Sequence, residues 1–168
     1  PVMKVYPLVK YKKDQEAIWE GIKDGTISIV CSDHAPHTED EKSGDLWSIP
    51  AGMCGVETLV PLMLNAVSEK RITIHELVSL LSENPAKQFG VFPQKGAIQV
   101  GSDADITIVD MDKCTVIQKE KLHSKSKITA YDGLDVKGMP VQTIVNGITV
   151  MKDGEIISDH QGRLVTSK

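Results

Sequence analysis

Aromatic residues are scarce in this chain, 4% of 168 positions, and its scattered basic residues are outnumbered by acidic ones, leaving a net charge of −4. These absences exclude a nucleic-acid partner held by base stacking or by phosphate contacts. Cysteine is sparse too: Cys31, Cys54 and Cys114 stand far apart, odd in number, with no Cys-x-x-Cys pair. That excludes a disulfide framework and a structural zinc ribbon, and it fits reduced thiols in a cytoplasmic protein. No apolar run approaches the roughly 20 residues of a bilayer span, and no signal-peptide pattern opens the chain. No membrane partner is therefore expected. What the chain does have is 40% hydrophobic residues, enough for the core of an ordinary domain.

Residues 26–31 form a short β-branched run with almost no charge, ending at Cys31. Such a run predicts a strand buried on both faces, as in parallel sheets. It breaks into Ser32-Asp33-His34-Ala35-Pro36-His37, where one carboxylate and two imidazoles fall within five residues. Pro36 lacks an N–H and restricts Ala35, so regular structure ends there. Titratable groups at the C-terminal end of a parallel strand occupy the place where α/β barrels carry their chemistry. The plainer reading has Asp33 capping a turn, with both histidines as exposed loop residues. The spacing leaves both open, because a metal site usually needs three or more ligands.

Elsewhere the pattern is regular. Ala17, Ile18 and Ile22 at helical spacing predict a helix over 14–23, stopped by Asp24-Gly25-Thr26. Residues 1–10 read as a strand end running into a loop broken by Pro7, and residues 38–48 as an exposed, charge-rich loop. Residues 49–55 are small, apolar and turn-prone, and Gly52 and Gly55 would let the backbone approach a ligand closely. A largely buried helix is predicted over 56–66, with Glu57 in a structural place at the positive end of its dipole. Thr73-Ile74-His75-Glu76 is a capping-box pattern that leaves His75 on the surface, and Asn84-Pro85 predicts a capped start to a further short helix ended by Gly90. From residue 95 onward short alternating strands are expected at 97–109, 115–117, 141–145, 148–151 and 155–157. Asn146-Gly147 and Asp153-Gly154 mark hairpins among the last three. Asp103 and Asp105 are read as a turn residue and a solvent-facing strand residue rather than as a metal pair. His123 and His160 receive no role.

Several of these pieces recur in one order. They are Gly21-Ile22-Lys23-Asp24-Gly25-Thr26-Ile27, Ser32-Asp33-His34-Ala35-Pro36-His37-Thr38, Gly52-Met53-Cys54-Gly55-Val56-Glu57-Thr58, Asn84-Pro85-Ala86, Gly96 through Gly101-Ser102-Asp103-Ala104-Asp105, and Asn146-Gly147. The series spans nearly the whole chain and resembles the C-terminal portion of cyclic amidohydrolases, most of all dihydroorotases. It is also similar to allantoinases and hydantoinases (dihydropyrimidinases). The Ser-Asp-His-Ala-Pro-His signature is specific, whereas Gly-Ser-Asp-Ala-Asp marks only the wider superfamily.

The resemblance implies an α/β fold: residues 1–94 as the C-terminal segment of a metal-dependent (β/α)8 TIM barrel, and residues 95–168 as a small β-sandwich domain. It implies metal-dependent hydrolysis of a cyclic amide C–N bond. The form expected first is dihydroorotase-type, interconverting dihydroorotate and carbamoyl aspartate in pyrimidine metabolism. Asp33 would bind one zinc of a binuclear pair and shuttle a proton from the attacking water to the leaving nitrogen. His37 would hold the substrate's carboxylate, the backbone at Ala51 and Gly52 would meet the ring's polar edge, and His34 would support the loop. A homo-oligomer is expected.

Two departures bear on the substrate. Tyr6-Pro7-Leu8-Val9-Lys10 stands where dihydroorotases carry Asn-Pro-Pro-Leu-Arg, and Gly52-Met53-Cys54-Gly55 stands where they carry Gly-Ile-Pro-Gly. Allantoin, a hydantoin or another cyclic ureide is therefore an alternative, as is a non-catalytic scaffold resembling dihydropyrimidinases. The His-x-His pair, bridging lysine and later histidines of such barrels are not in this sequence, and a (β/α)8 barrel takes about 250 residues. The chain is expected to be a fragment of a longer enzyme, inactive and poorly folded by itself because the barrel edge would be unpaired.

Overall fold

The computed structural model describes residues 3–158 and 162–167, so His160 lies outside the described residues. Helix α1 (Lys12–Lys23) starts two residues earlier than predicted, because the Asp14 carboxylate accepts the Tyr11 N–H at 3.0 Å and organises the first turn. Asp24 ends it, and Gly25 at φ 82 reverses the chain.

The strand expected over 26–31 is not formed. Ile27, Ile29 and Val30 are half-buried while Ser28 and Cys31 are exposed, so the run is not covered on both faces. A strand needs a neighbouring strand to complete its ladder. Here the Val30 N–H reaches the Leu80 carbonyl (3.2 Å), and the Ser28 carbonyl accepts the Asn84 side-chain amide (2.8 Å), both in helical residues. One isolated parallel bridge, His34 to Met53, follows. Among the described residues, 3–10 also contain no strand.

Helix α2 (Val56–Ser68) buries Thr58, Pro61, Met63, Leu64 and Ala66. Helix α3 (Ile74–Val78) opens on the predicted capping box: the Glu76 carboxylate accepts the Thr73 N–H at 2.6 Å, and Thr73 Oγ1 accepts the Glu76 N–H at 3.2 Å. It continues through a π-helical turn (Ser79–Glu83) into α4 (Asn84–Gln88). Asn84 is therefore not the cap predicted for it: Glu83 before it is already helical, which frees its side chain to tie down Ser28. Gly90, at φ 68, follows the helix end as expected.

Strand β1 (Ile106–Val116) begins later than the alternation suggests and absorbs the separate strand expected at 115–117, with an irregular register between Asp110 and Cys114. Residues 97–105 stay in turns and loops. Strands β2 (Asp135–Val145), β3 (Ile148–Lys152) and β4 (Glu155–Ile156) complete one antiparallel sheet in the order β1-β2-β3-β4. Asn146-Gly147 (φ 49 and 80) and Asp153-Gly154 (φ 51 and 93) form the hairpin turns, with positive φ at both central residues.

The sheet packs against α2. Gly138 has φ +97, and a Cβ there would lie 2.8 Å from that of Leu64, so strand and helix touch backbone to side chain. The Lys137 N–H donates to Asn65 Oδ1 at 2.9 Å. One apolar cluster (Ile22, Met63, Leu64, Ala66, Ile72, Leu77, Leu80) is packed by Val109 and Met111 of β1. No helix among the described residues is long and apolar enough to cross a membrane.

Candidate active site

The loop after residue 31 is shaped by close backbone approaches. Asp33 has φ 45, a left-handed conformation that few L-residues adopt and that aspartate tolerates better than most. Its side chain is exposed and makes no hydrogen bond or ion pair among the described residues. Neighbouring backbone holds the turn: the Ala35 N–H donates to the Met53 carbonyl at 3.1 Å. A Cβ on Gly52 (φ +128) would lie 2.5 Å from the Ala35 carbonyl oxygen, and one on Gly55 would lie 2.6 Å from that of Ser32. The two glycines thus bring residues 51–55 against 32–35, chain against chain.

His34 Nδ1 accepts the N–H groups of Gly55 (3.2 Å) and Val56 (3.3 Å), so the imidazole caps α2. That is a loop-supporting place. The His37 ring bridges two groups: Nε2–H donates to the Ala51 carbonyl at 3.1 Å, and Nδ1 lies 3.8 Å from the Glu41 carboxylate. His37 and Ala51, both named from the sequence, are in contact. Gly52 lies beside them, its N–H donating to the Lys4 carbonyl at 2.9 Å. Among the described residues Asp33 makes no hydrogen bond or ion pair with any of them.

Three partnerships near the loop went unread in the sequence. Lys42, placed in an exposed loop, is only 6% exposed, and its ammonium donates to the carbonyls of Pro50 (2.9 Å) and Lys4 (3.3 Å). The signal was Thr38-x-x-Glu41: Thr38 N–H and Oγ1 donate to the Glu41 carboxylate at 2.7 and 3.0 Å, ordering the turn that sends Lys42 inward. These bonds also hold the Glu41 carboxyl below its ordinary range. Glu57 does more than face the helix dipole. Its carboxylate accepts the backbone N–H groups of His123 (2.8 Å) and Ser124 (3.0 Å) and the His123 ring Nδ1–H (2.8 Å). Burial alone would raise the Glu57 carboxyl, but these donors outweigh it and hold it low. His123 thereby acquires a structural role. Buried Cys54 meets Ser124 Oγ and the Ser126 carbonyl, each at 3.3 Å.

The Gly-Ser-Asp-Ala-Asp segment builds an ionic knot. Asp103 pairs with Arg163 and, at 3.0 Å, with Lys95; Asp105 pairs with Lys95 and accepts the Asn146 N–H at 2.7 Å. The Arg163 guanidinium, then Lys95, lower the Asp103 carboxyl to about 2. Asp105 therefore pins the hairpin turn, and both aspartates are spent on cations of this chain.

Among the described residues no group of three or more His, Cys, Asp or Glu is placed to hold a metal ion. The exposed oxygens of Asp33 supply one candidate donor, and a single carboxylate does not fit a metal centre by itself.

A model of the amidohydrolase family matches residues 9–150. The L-hydantoinase of Paenarthrobacter aurescens is 40% identical over the whole chain and 38% of its own length. The dihydroorotase of Pyrococcus furiosus is 39% identical over the whole chain and 39% of its own length. Among solved structures, L-hydantoinase (dihydropyrimidinase) from Arthrobacter aurescens superposes with a TM-score of 0.90 at 39% identity, covering 94% of this chain and 36% of that one. D-hydantoinase from Thermus sp. gives 0.89 at 30% identity, covering 94% and 35%. The chain thus spans about two-fifths of the length of the curated relatives it matches.

Proposed function

Since the chain belongs to the amidohydrolase family, we propose that it is the C-terminal part of a cyclic-amide hydrolase and supplies one wall of the active site. In this reading residues 1–94 complete a (β/α)8 barrel, and the sheet from residue 95 onward is one layer of a β-sandwich domain. Hydantoinases and dihydroorotases at about 40% identity support the reaction class. The observation that carries the reading is Asp33, an exposed carboxylate without a partner among the described residues, held in left-handed backbone by a glycine-packed loop.

Asp33 would take the proton of the attacking water and return it to the leaving ring nitrogen, a task suited to an ionised carboxylate beside the scissile bond. Asp33 would give a binuclear zinc centre one ligand, and the remaining ligands would come from outside these residues. Ala51 and Gly52 would flank the ring's polar edge. A cytoplasmic homo-oligomer completes the proposal; the free thiols of Cys31, Cys54 and Cys114 support the reducing compartment.

Dihydroorotate is the substrate first implied by the loop motif, yet one observation favours a neutral ureide such as a hydantoin. Both ring nitrogens of His37 face groups of this chain, the Ala51 carbonyl and the Glu41 carboxylate. A substrate carboxylate at His37 would meet the negative charge of Glu41.

The test is ring opening by the intact protein that carries these residues, on dihydroorotate, hydantoin, allantoin and dihydrouracil with zinc supplied. One ring is expected to open, and Asp33→Asn is expected to lose about 10²–10⁴-fold in kcat with the loop intact. Full turnover in the variant, or no turnover of any ring by a protein that binds no zinc, overturns the reading; the second result favours a non-catalytic scaffold.

A further inference from the structure

Lys42 is a buried ammonium with no carboxylate partner among the described residues. Its neighbour Lys4 is likewise without an ion pair, its ammonium donating to the carbonyls of Ile49 (2.7 Å) and Trp47 (3.4 Å). The Lys4 backbone carbonyl in turn accepts both the Lys42 ammonium (3.3 Å) and the Gly52 N–H (2.9 Å). Adding the Pro50 carbonyl on Lys42 and the Ala51 carbonyl on His37, every residue from Ile49 to Gly52 has a backbone polar group held from outside the segment.

Stability alone does not call for lysine at position 42. Burying an ammonium with only carbonyl dipoles around it costs more than burying an apolar side chain of the same length. Burial and the nearby Lys4 charge both lower the Lys42 pKa, which marks an environment unfavourable to its charge. A cation in that position demands carbonyl oxygens at hydrogen-bond distance, and so dictates where those carbonyls point.

We propose that Lys42, with Lys4, is a positioning residue: the two ammonium groups clasp the carbonyls of Trp47, Ile49 and Pro50 and so hold Ala51 and Gly52 in the conformation that receives the substrate ring. The proposal rests on the cyclic-amide reading of this site. Neither lysine touches substrate in it; both act through the backbone of 49–52.

The test uses the intact protein with Lys42→Met, which keeps most of the unbranched stem and removes the donors, and with Lys4→Met as a second variant. Hydrogen exchange followed by mass spectrometry reports the clasp without any substrate. Exchange in peptides covering 49–55 is expected to rise about tenfold, with the rest of the chain as in the wild type. For whichever ring the wild type opens, KM is expected to rise about tenfold while kcat stays within about threefold, the signature of lost binding rather than lost chemistry. Should Lys42→Met fail to fold, Lys4→Met carries both readouts in the same direction.

Unchanged exchange over 49–55 in the folded variants overturns the proposal. So does faster exchange throughout the chain, which would make the lysines general stabilisers, or a fall in kcat at constant KM. A wild-type protein that opens no ring defeats the cyclic-amide reading instead, and the exchange data still decide whether the clasp exists.

Discussion

Asp33 and Asp103 show how one residue type is put to opposite uses in this chain. Asp33 is exposed, in left-handed backbone, with no partner among the described residues. Asp103 is surrounded by Arg163, Lys95 and Gln94, and its carboxyl is held at about 2 instead of 3.8. Because its folded value lies below the ordinary one, the folded chain binds this proton more weakly than the unfolded chain does. The stabilisation is therefore full above about pH 4 and fades as pH falls towards 2. Comparing the intact protein with Asp103→Asn, the difference in Tm is expected to be largest at neutral pH and to shrink below pH 4. Arg163 is half exposed, so the difference should also shrink in high salt. A pH-independent difference would mean that the aspartate acts through packing and not through charge.

Among elements, helix α2 bears most of the organisation. Its N-terminus is capped by His34 from the candidate site and joined through Glu57 to His123 and Ser124 in the loop that precedes β2. Its other face buries Leu64 against Gly138 of β2. The helix thus couples the Asp33 loop to the sheet. Glu57→Gln keeps an acceptor but removes the charge that strengthens three N–H donors, and is expected to cost about 1–2 kcal/mol. Denaturant unfolding of the intact protein at pH 7 measures it. Since the Glu57 carboxyl is held low, the deficit should narrow as pH drops through the acid range, where the wild-type carboxylate also becomes neutral.

For the molecule as a whole, the exposed apolar surface is the informative quantity. Met3, Tyr6, Leu8, Leu46 and Trp47 line a shallow groove beside the candidate site, and Trp47 is 89% exposed. Ile98 and Val100 stand out on the loop before β1 at 84% and 104%. Contiguous apolar surface of this kind marks an interface. In the proposed function the rest of the barrel covers it, so the 168 residues expressed alone are expected to open no ring and to bind a hydrophobic dye that the intact protein does not. Zinc-dependent hydrolysis by the isolated residues would contradict this.

What the sequence determined by itself was local chemistry. The amphipathic period of α1, the Thr73–Glu76 capping box and the two Asn-Gly and Asp-Gly turns follow from side chains acting on backbone a few residues away. The order of short motifs likewise pointed to the amidohydrolase family and to the Asp33 loop. Tertiary structure alone decided the rest, because those choices depend on partners distant along the chain. The run over 26–31 has strand composition but meets helical residues, and a ladder needs a second strand. Asn84 reaches Ser28 because the backbone before it is already helical. Lys42, charged and in a polar stretch, reads as a surface residue until the carbonyls of Lys4 and Pro50 are brought to it from 38 and 8 residues away. Composition records that a lysine is present; only the folded chain shows which oxygens it must satisfy.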